Sequence, residues 1–184
     1  LWDAATQACT PGAANAPPEI TRAKEEALIE KARRLRLKYP NVFTTPLDQA
    51  EEKDGRRIDT DVDRLGEQDA VLDIGQKTVE HYSKIIKSAG TVFMSGPAGV
   101  FEREEYVYGT ESLLKSVASS LSTTIVSGGH LTAALQRFGL SDKVDHVSTA
   151  GGALVLYLAG RKLPMIKTLE MAAERDGKHR LAQK

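Results

Sequence analysis

Three shortages narrow the field before any motif is read. The 184-residue chain has a single cysteine, Cys9. One thiol excludes a disulfide framework and a paired-cysteine metal knuckle, and it fits a reducing, cytoplasmic setting. Charge of either sign is not in excess: 25 Lys and Arg stand against 25 Asp and Glu. A net charge of zero argues against a nucleic-acid surface or a polybasic membrane anchor, so neither nucleic acid nor membrane is an expected partner. Long apolar runs are missing too. The longest covers residues 153–159, far short of the ~20 residues that cross a bilayer. Residues 1–18 have neither the basic start nor the apolar stretch of a signal peptide. The chain opens on Leu1 instead of Met, and the expectation is a piece of a longer protein. Its length allows one domain of ordinary size with a full core.

What is present is an alternation. Residues 1–18, with three prolines, read as a short helix and a loop. From Ile20 to Tyr39 the spacing predicts a helix with Leu28, Ala32 and Leu35 on one side and dense charge on the other. Pro40 ends it, and 41–46 reads as a strand. Residues 49–68 are polar around Asp54-Gly55, which predicts an exposed hairpin. Strands are expected near 42–45, 70–74, 91–95, 123–127 and 144–148. Between them lie a helix with Val79, Tyr82, Ile86 and Ala89 on one face and a helix over 110–121 burying Leu113, Leu114, Val117 and Leu121. A last helix starts at Pro164 with Ile166, Leu169 and Ala173. Short apolar strands alternating with amphipathic helices predict an α/β fold. It is Rossmann-like: a largely parallel sheet with helices on both faces, in three layers. No GxGxxG fingerprint and no GxxxxGK[ST] loop occurs, which weakens an oxidoreductase or P-loop reading.

Residues 123–160 hold one pattern twice: a β-branched run, a small-residue elbow, then a helix. The elbows are Ser127-Gly128-Gly129-His130 and Ser148-Thr149-Ala150-Gly151-Gly152. A strand that feeds a helix through glycines aims unpaired N–H groups and the positive end of the helix dipole at one point, which makes an anion site. Two elbows side by side suit a polyphosphate. The plainer alternative is that each Gly-Gly is only a tight connection.

The string Thr-Val-Phe-Met-Ser-Gly-Pro-Ala-Gly-Val-Phe-Glu over 91–102 resembles the nucleotide-holding strand and loop of phosphoglycerate kinases. Further landmarks of that family stand in its order. They are Thr-Pro-Leu-Asp at 45–48, Leu-Asp-Ile-Gly-Gln-Lys-Thr at 72–78, Gly-Thr at 109–110, the two elbows, and Leu163-Pro164. The spacing matches over about 40–175, and the Gly-Gly-His-Leu variant is similar to the archaeal branch. The resemblance implies that residues 1–184 are part of the carboxyl-terminal nucleotide-binding domain of a two-domain kinase. The amino-terminal domain, which holds 3-phosphoglycerate, would lie outside the chain. The implied reaction moves a phosphoryl group between ATP and the carboxylate of 3-phosphoglycerate, and the chain alone is expected to be inactive. The alternative is a non-catalytic nucleotide-binding α/β module.

Residue by residue, the resemblance implies that Gly96, Pro97, Gly99 and Val100 wall the adenosine. Glu102 would accept hydrogen bonds from the ribose hydroxyls. Ser95 stands where the family has asparagine. Gly128, Gly129, His130 and Leu131 would face the phosphates of ATP or ADP. Gly151 and Gly152 would stabilise the phosphoryl group in flight and are the expected catalytic pair. Mg²⁺ is expected with the nucleotide, but no protein ligand for it is assigned. His130 occupies a position where relatives place an aspartate, and Mg²⁺ prefers hard oxygen donors. Ala150 replaces a customary glycine, so its backbone must avoid positive φ.

Overall fold

The computed structural model describes residues 18–64 and 70–182. The helix expected within 1–18 falls, apart from residue 18, outside them. The chain divides into two compact units, Leu1–His81 with Gly99–Gly109, and Tyr82–Ala98 with Thr110–Lys184.

The first unit opens with helix α1, Pro18–Lys38. Leu28, Leu35 and Leu37 are all exposed on it. Residues 41–46, expected to be a strand, instead form a turn and an irregular segment; pairing begins at Asp48. The reason lies in Pro46, which cannot donate to a ladder, and in the Tyr39–Val42 turn, closed by a hydrogen bond from Val42 N to Tyr39 O of 3.1 Å. Strands β1, Asp48–Lys53, and β2, Arg56–Asp61, form the hairpin that Asp54-Gly55 predicts. Both turn residues have positive φ, 51° and 71°, the pair a type I′ turn requires. The hairpin is not wholly exposed: Asp48, Gln49, Ala50 and Glu51 are buried.

Strand β3, Val71–Ile74, pairs antiparallel with β1, in the order β2-β1-β3. The 70–74 strand therefore exists but belongs to an antiparallel sheet, a correction to the single parallel sheet expected. Helix α2, Gln76–Ser88, follows. Asp48 caps its first turn, accepting from Lys77 N at 3.0 Å and Thr78 N at 2.8 Å. The family landmarks 45–48 and 72–78 thus meet in one capping contact.

The second unit holds the parallel sheet. Strands β4, Thr91–Ser95, β5, Thr123–Ser127, and β6, His146–Ser148, lie in the order β4-β5-β6. Pairing is parallel throughout, with Ser95 opposite Ser127 and Ser127 opposite Ser148. Helix α3, Tyr108–Ala118, runs ahead of β5. Helix α4, Gly129–Arg137, follows β5, and α5, Gly151–Leu158, follows β6. The last helix, α6, spans Pro164–Ala182. The architecture is the Rossmann-like α/β class expected, with a parallel sheet flanked by helices. Leu113, Leu114 and Val117 are buried as their spacing predicts, but Leu121 lies beyond the helix end and is fully exposed. Leu131, Ala134 and Leu135 bury the inner stripe of α4. Helix α5 departs from its composition: none of its residues is buried, and Tyr157 is 64% exposed.

Candidate functional site

Because β4, β5 and β6 run parallel, their carboxyl ends share one edge, the edge where open α/β sheets take ligands. Three serines at one register level end the strands there. Beyond Ser127 the chain turns through Gly128 at φ 107°, a backbone state closed to side chains with a Cβ. That turn lets α4 start at once. Beyond Ser148, Ala150 stays extended at φ −82°, so alanine in place of glycine costs no strain, as the sequence requires.

The two elbows touch. A Cβ on Gly151 would come 3.5 Å from Gly128 Cα. Gly128 N donates to Ser148 O at 2.8 Å, and Ser127 Oγ donates to Ala150 O at 3.0 Å. The buried Ser127 hydroxyl therefore ties the second elbow to the first. The first-turn N–H groups of α4 and α5 have no acceptor within their own helices by helix geometry. They are donors free to meet an oxyanion, and a Cβ at Gly129 or Gly152 would meet nothing within 4 Å. His130 is exposed at the α4 start, while Leu131 is fully buried and anchors that end of the helix.

The glycine-rich loop after β4 begins in the same unit. Gly96 has φ 83°, Pro97 is exposed, and Ala98 N donates to the Oγ1 of buried Thr110 at 3.1 Å. Gly99, Val100 and Glu102 belong to the other unit. There Val100 N donates to Leu72 O at 2.8 Å and Arg103 N to Val100 O at 3.0 Å, a tight turn around Phe101 and Glu102. Phe101 is buried and Glu102 exposed.

Among the described residues, no group of three or more His, Cys, Asp or Glu could hold a metal ion. The side chains at the elbows, Ser127, His130, Ser148 and Thr149, include no carboxylate. That donor set does not fit a protein-held Mg²⁺.

Comparison with known proteins decides the kinship. The family model described as phosphoglycerate kinase matches residues 13–161. The chain belongs to the phosphoglycerate kinase family. It is 41% identical over 160 residues to the phosphoglycerate kinase of Methanothermus fervidus, covering 87% of this chain and 39% of that protein. It is 44% identical over 155 residues to that of Methanococcus maripaludis, covering 83% and 36%. Both are archaeal, in line with the Gly-Gly-His-Leu variant. Among solved structures, phosphoglycerate kinase from Pyrococcus horikoshii superposes with a TM-score of 0.66 at 31% identity, over 84% of this chain and 40% of that one. The enzyme from Coxiella burnetii gives 0.63 at 34%, over 82% and 39%. The chain thus spans about two fifths of the length of the relatives it matches.

Sequence reasoning assigned no role to four residues that the geometry brings forward. Thr110 and Ser127 hold the loop and the second elbow; Arg57 and Asp73 hold Glu105 and Gly109, further along the segment that carries Glu102. Thr110 and Asp73 sat inside quoted landmarks, so a signal was there without a mechanism. Ser127 read as elbow filler. Arg57 gave little local signal: Asp59 lies two residues away, but its other partners, Asp73, Ile74 and Glu105, lie 16–48 residues away.

Proposed function

We propose that the paired elbows bind the phosphates of ATP or ADP, and that the chain is the later part of a carboxyl-terminal nucleotide-binding domain. The observation that carries this is the contact between Gly128 and Gly151, which sets two helix N-termini side by side at one sheet edge. Gly128, Gly129, His130 and Leu131 form the ground-state cradle. Exposed His130 at the helix start can donate a ring N–H to a phosphate oxygen. Ser95, Gly96, Pro97, Gly99 and Val100 receive the nucleoside, and Glu102 accepts from the ribose hydroxyls.

In the complete polypeptide the reaction is phosphoryl exchange between ATP and the carboxylate of 3-phosphoglycerate, held by a domain outside this chain. Charge spreads over three equatorial oxygens in that transition state, and catalysis consists mainly of positioning and fixed donors. The N–H groups of Gly151 and Gly152 supply such donors. Mg²⁺ accompanies the nucleotide, and no step is assigned to it through protein ligands. This chain alone binds nucleotide without turnover, in a cytoplasmic setting.

Calorimetry with ADP tests the reading. The chain is expected to bind, and Glu102→Ala to weaken binding by about 1–3 kcal/mol, the range for a charge-assisted hydrogen bond. Unchanged affinity removes Glu102 from the site. ADP binding without turnover in the complete polypeptide would favour the non-catalytic module instead.

A further inference from the structure

Besides the Val100 N to Leu72 O bond and an Arg103–Glu52 ion pair, the loop that carries Glu102 rests on an ion pair whose carboxylate is fully buried. Asp73, on β3, has a side chain with no exposed surface, and its Oδ2 lies 2.8 Å from Arg57 Nη1 of the hairpin. The same Oδ2 accepts from Gly109 N at 2.8 Å, and Oδ1 accepts from Ile74 N at 2.9 Å. Both ends of the 99–109 loop press on this carboxylate: a Cβ at either Gly99 or Gly109 would overlap it. Arg57 spends its remaining donors on the same loop and its frame. Nη1 also reaches Glu105 O at 3.0 Å, Nη2 reaches Ile74 O at 3.0 Å, and Nε reaches Asp59 at 3.0 Å. Its guanidinium lies 5.5 Å from the Tyr108 ring. Within the loop, buried Phe101 and Tyr106 leave Glu102 as an exposed carboxylate on a fixed turn.

We propose that Asp73 and Arg57 are positioning residues for Glu102: their ion pair fixes both ends and the middle of the 99–109 loop, and so sets the carboxylate that reads the ribose. A flexible surface glutamate would lose entropy on meeting a hydroxyl. One held on a clamped turn has that cost reduced beforehand. A buried pair is poor evidence for stability alone, since burial costs about what attraction returns. The planar fork of arginine suits four acceptors in fixed directions, and lysine cannot reproduce it. The inference rests on the nucleotide reading above.

The test measures ADP against 2′-deoxy-ADP by calorimetry on the whole chain and on Asp73→Asn and Arg57→Lys. The unmodified chain is expected to prefer ADP by about tenfold, the scale of one good hydrogen bond to a charged acceptor. Glu102→Gln should flatten that preference. Either positioning variant should reduce it to about twofold, and combining it with Glu102→Gln should add nothing further. Arg57→Lys keeps the charge on a side chain that is 19% exposed and is expected to fold, so it decides the matter should Asp73→Asn unfold. A purely structural pair would lower the melting temperature yet leave the ADP to 2′-deoxy-ADP ratio intact, and that result overturns the inference alone. An unmodified chain that binds ADP without the ribose preference overturns both the Glu102 role and this inference. No ADP binding at all overturns the nucleotide reading and the inference with it.

Discussion

The two units keep their order by opposite means. In the antiparallel unit the best-buried positions include Asp48, Gln49, Glu51 and Asp73, and a directed polar network holds the loop 99–109. In the parallel unit the inner stripe is Val126, Leu131, Ala134 and Leu135, non-directional packing, and the first-turn N–H groups of α4 and α5 have no acceptor within their own helices. The first arrangement suits a side chain that must point one way. The second suits a cradle of N–H groups, where the backbone does the recognising and side chains only have to stay out of the way.

Breaking each unit at its own fastening should show the difference. Asp73→Ala leaves Arg57 without its buried partner and should cost about 3–5 kcal/mol. Leu135→Ala, a cavity in an apolar stripe, should cost about 2–5 kcal/mol. Urea unfolding followed by hydrogen exchange checks both. Loss of protection is expected around 99–109 for the first and around α4 for the second. Protection lost equally in both regions by either variant would mean that the polar and apolar fastenings are not separable.

The cradle can be probed without touching the packing. A Cβ at Gly152 meets nothing within 4 Å, so Gly152→Val is expected to fold. In the complete polypeptide it should lower turnover by about 10²-fold, the scale of losing one oxyanion donor, with a much smaller change in ADP affinity. Steady-state kinetics in both directions separates the two. Equal losses would make the elbow a ground-state phosphate cradle.

The smallest effect concerns two carboxylates with opposite titration. Hydrogen bonds from Thr124 N and Oγ1 hold Asp145, in the parallel unit, below its ordinary value. Its contribution is present above the ordinary carboxylate range and disappears as pH falls through the lowered value. Burial pushes Asp73 above its ordinary value, against the donors of Gly109, Arg57 and Ile74. The folded state then binds more protons than the unfolded one, so stability falls as pH rises from the ordinary value to the raised one. Melting curves across acid pH should show Asp145→Asn flattening the low side and Asp73→Asn the high side. Identical profiles for both variants would remove the distinction.

The parallel half was legible because its strands are apolar and its elbows rich in small residues; 91–95 and 123–127 fall where expected. Strand β1 was legible only through the Asp54-Gly55 turn and its burial was not, since Asp-Gln-Ala-Glu-Glu-Lys offers no apolar alternation and all its buried positions but Ala50 are polar. The 71–74 strand was found, but not its neighbour: four apolar residues closed by a glycine look the same in either kind of sheet. Helix α5 is apolar in composition, yet none of its residues is buried. Hydrophobicity records what a side chain would prefer to leave behind, not what lies against it. The elbows were readable as glycine-rich connections from strand to helix, and helices do start at Gly129 and Gly151, whereas the Arg57–Asp73 fastening joins segments far apart in the chain.

The shared register of Ser95, Ser127 and Ser148 also bears on how the chain tolerates changes of length. Side chains of a strand alternate in twos. One residue inserted within 123–127 would exchange buried Thr124 and Val126 for exposed Thr123 and half-buried Ile125, and would carry Gly128 away from Ser148. Two inserted residues would restore the faces but still misplace the elbow. The link at 159–163, exposed but for half-buried Leu163 and outside any strand ladder, carries no such parity. In an insertion scan the sheet behaves as a reading frame, and that link as a spacer.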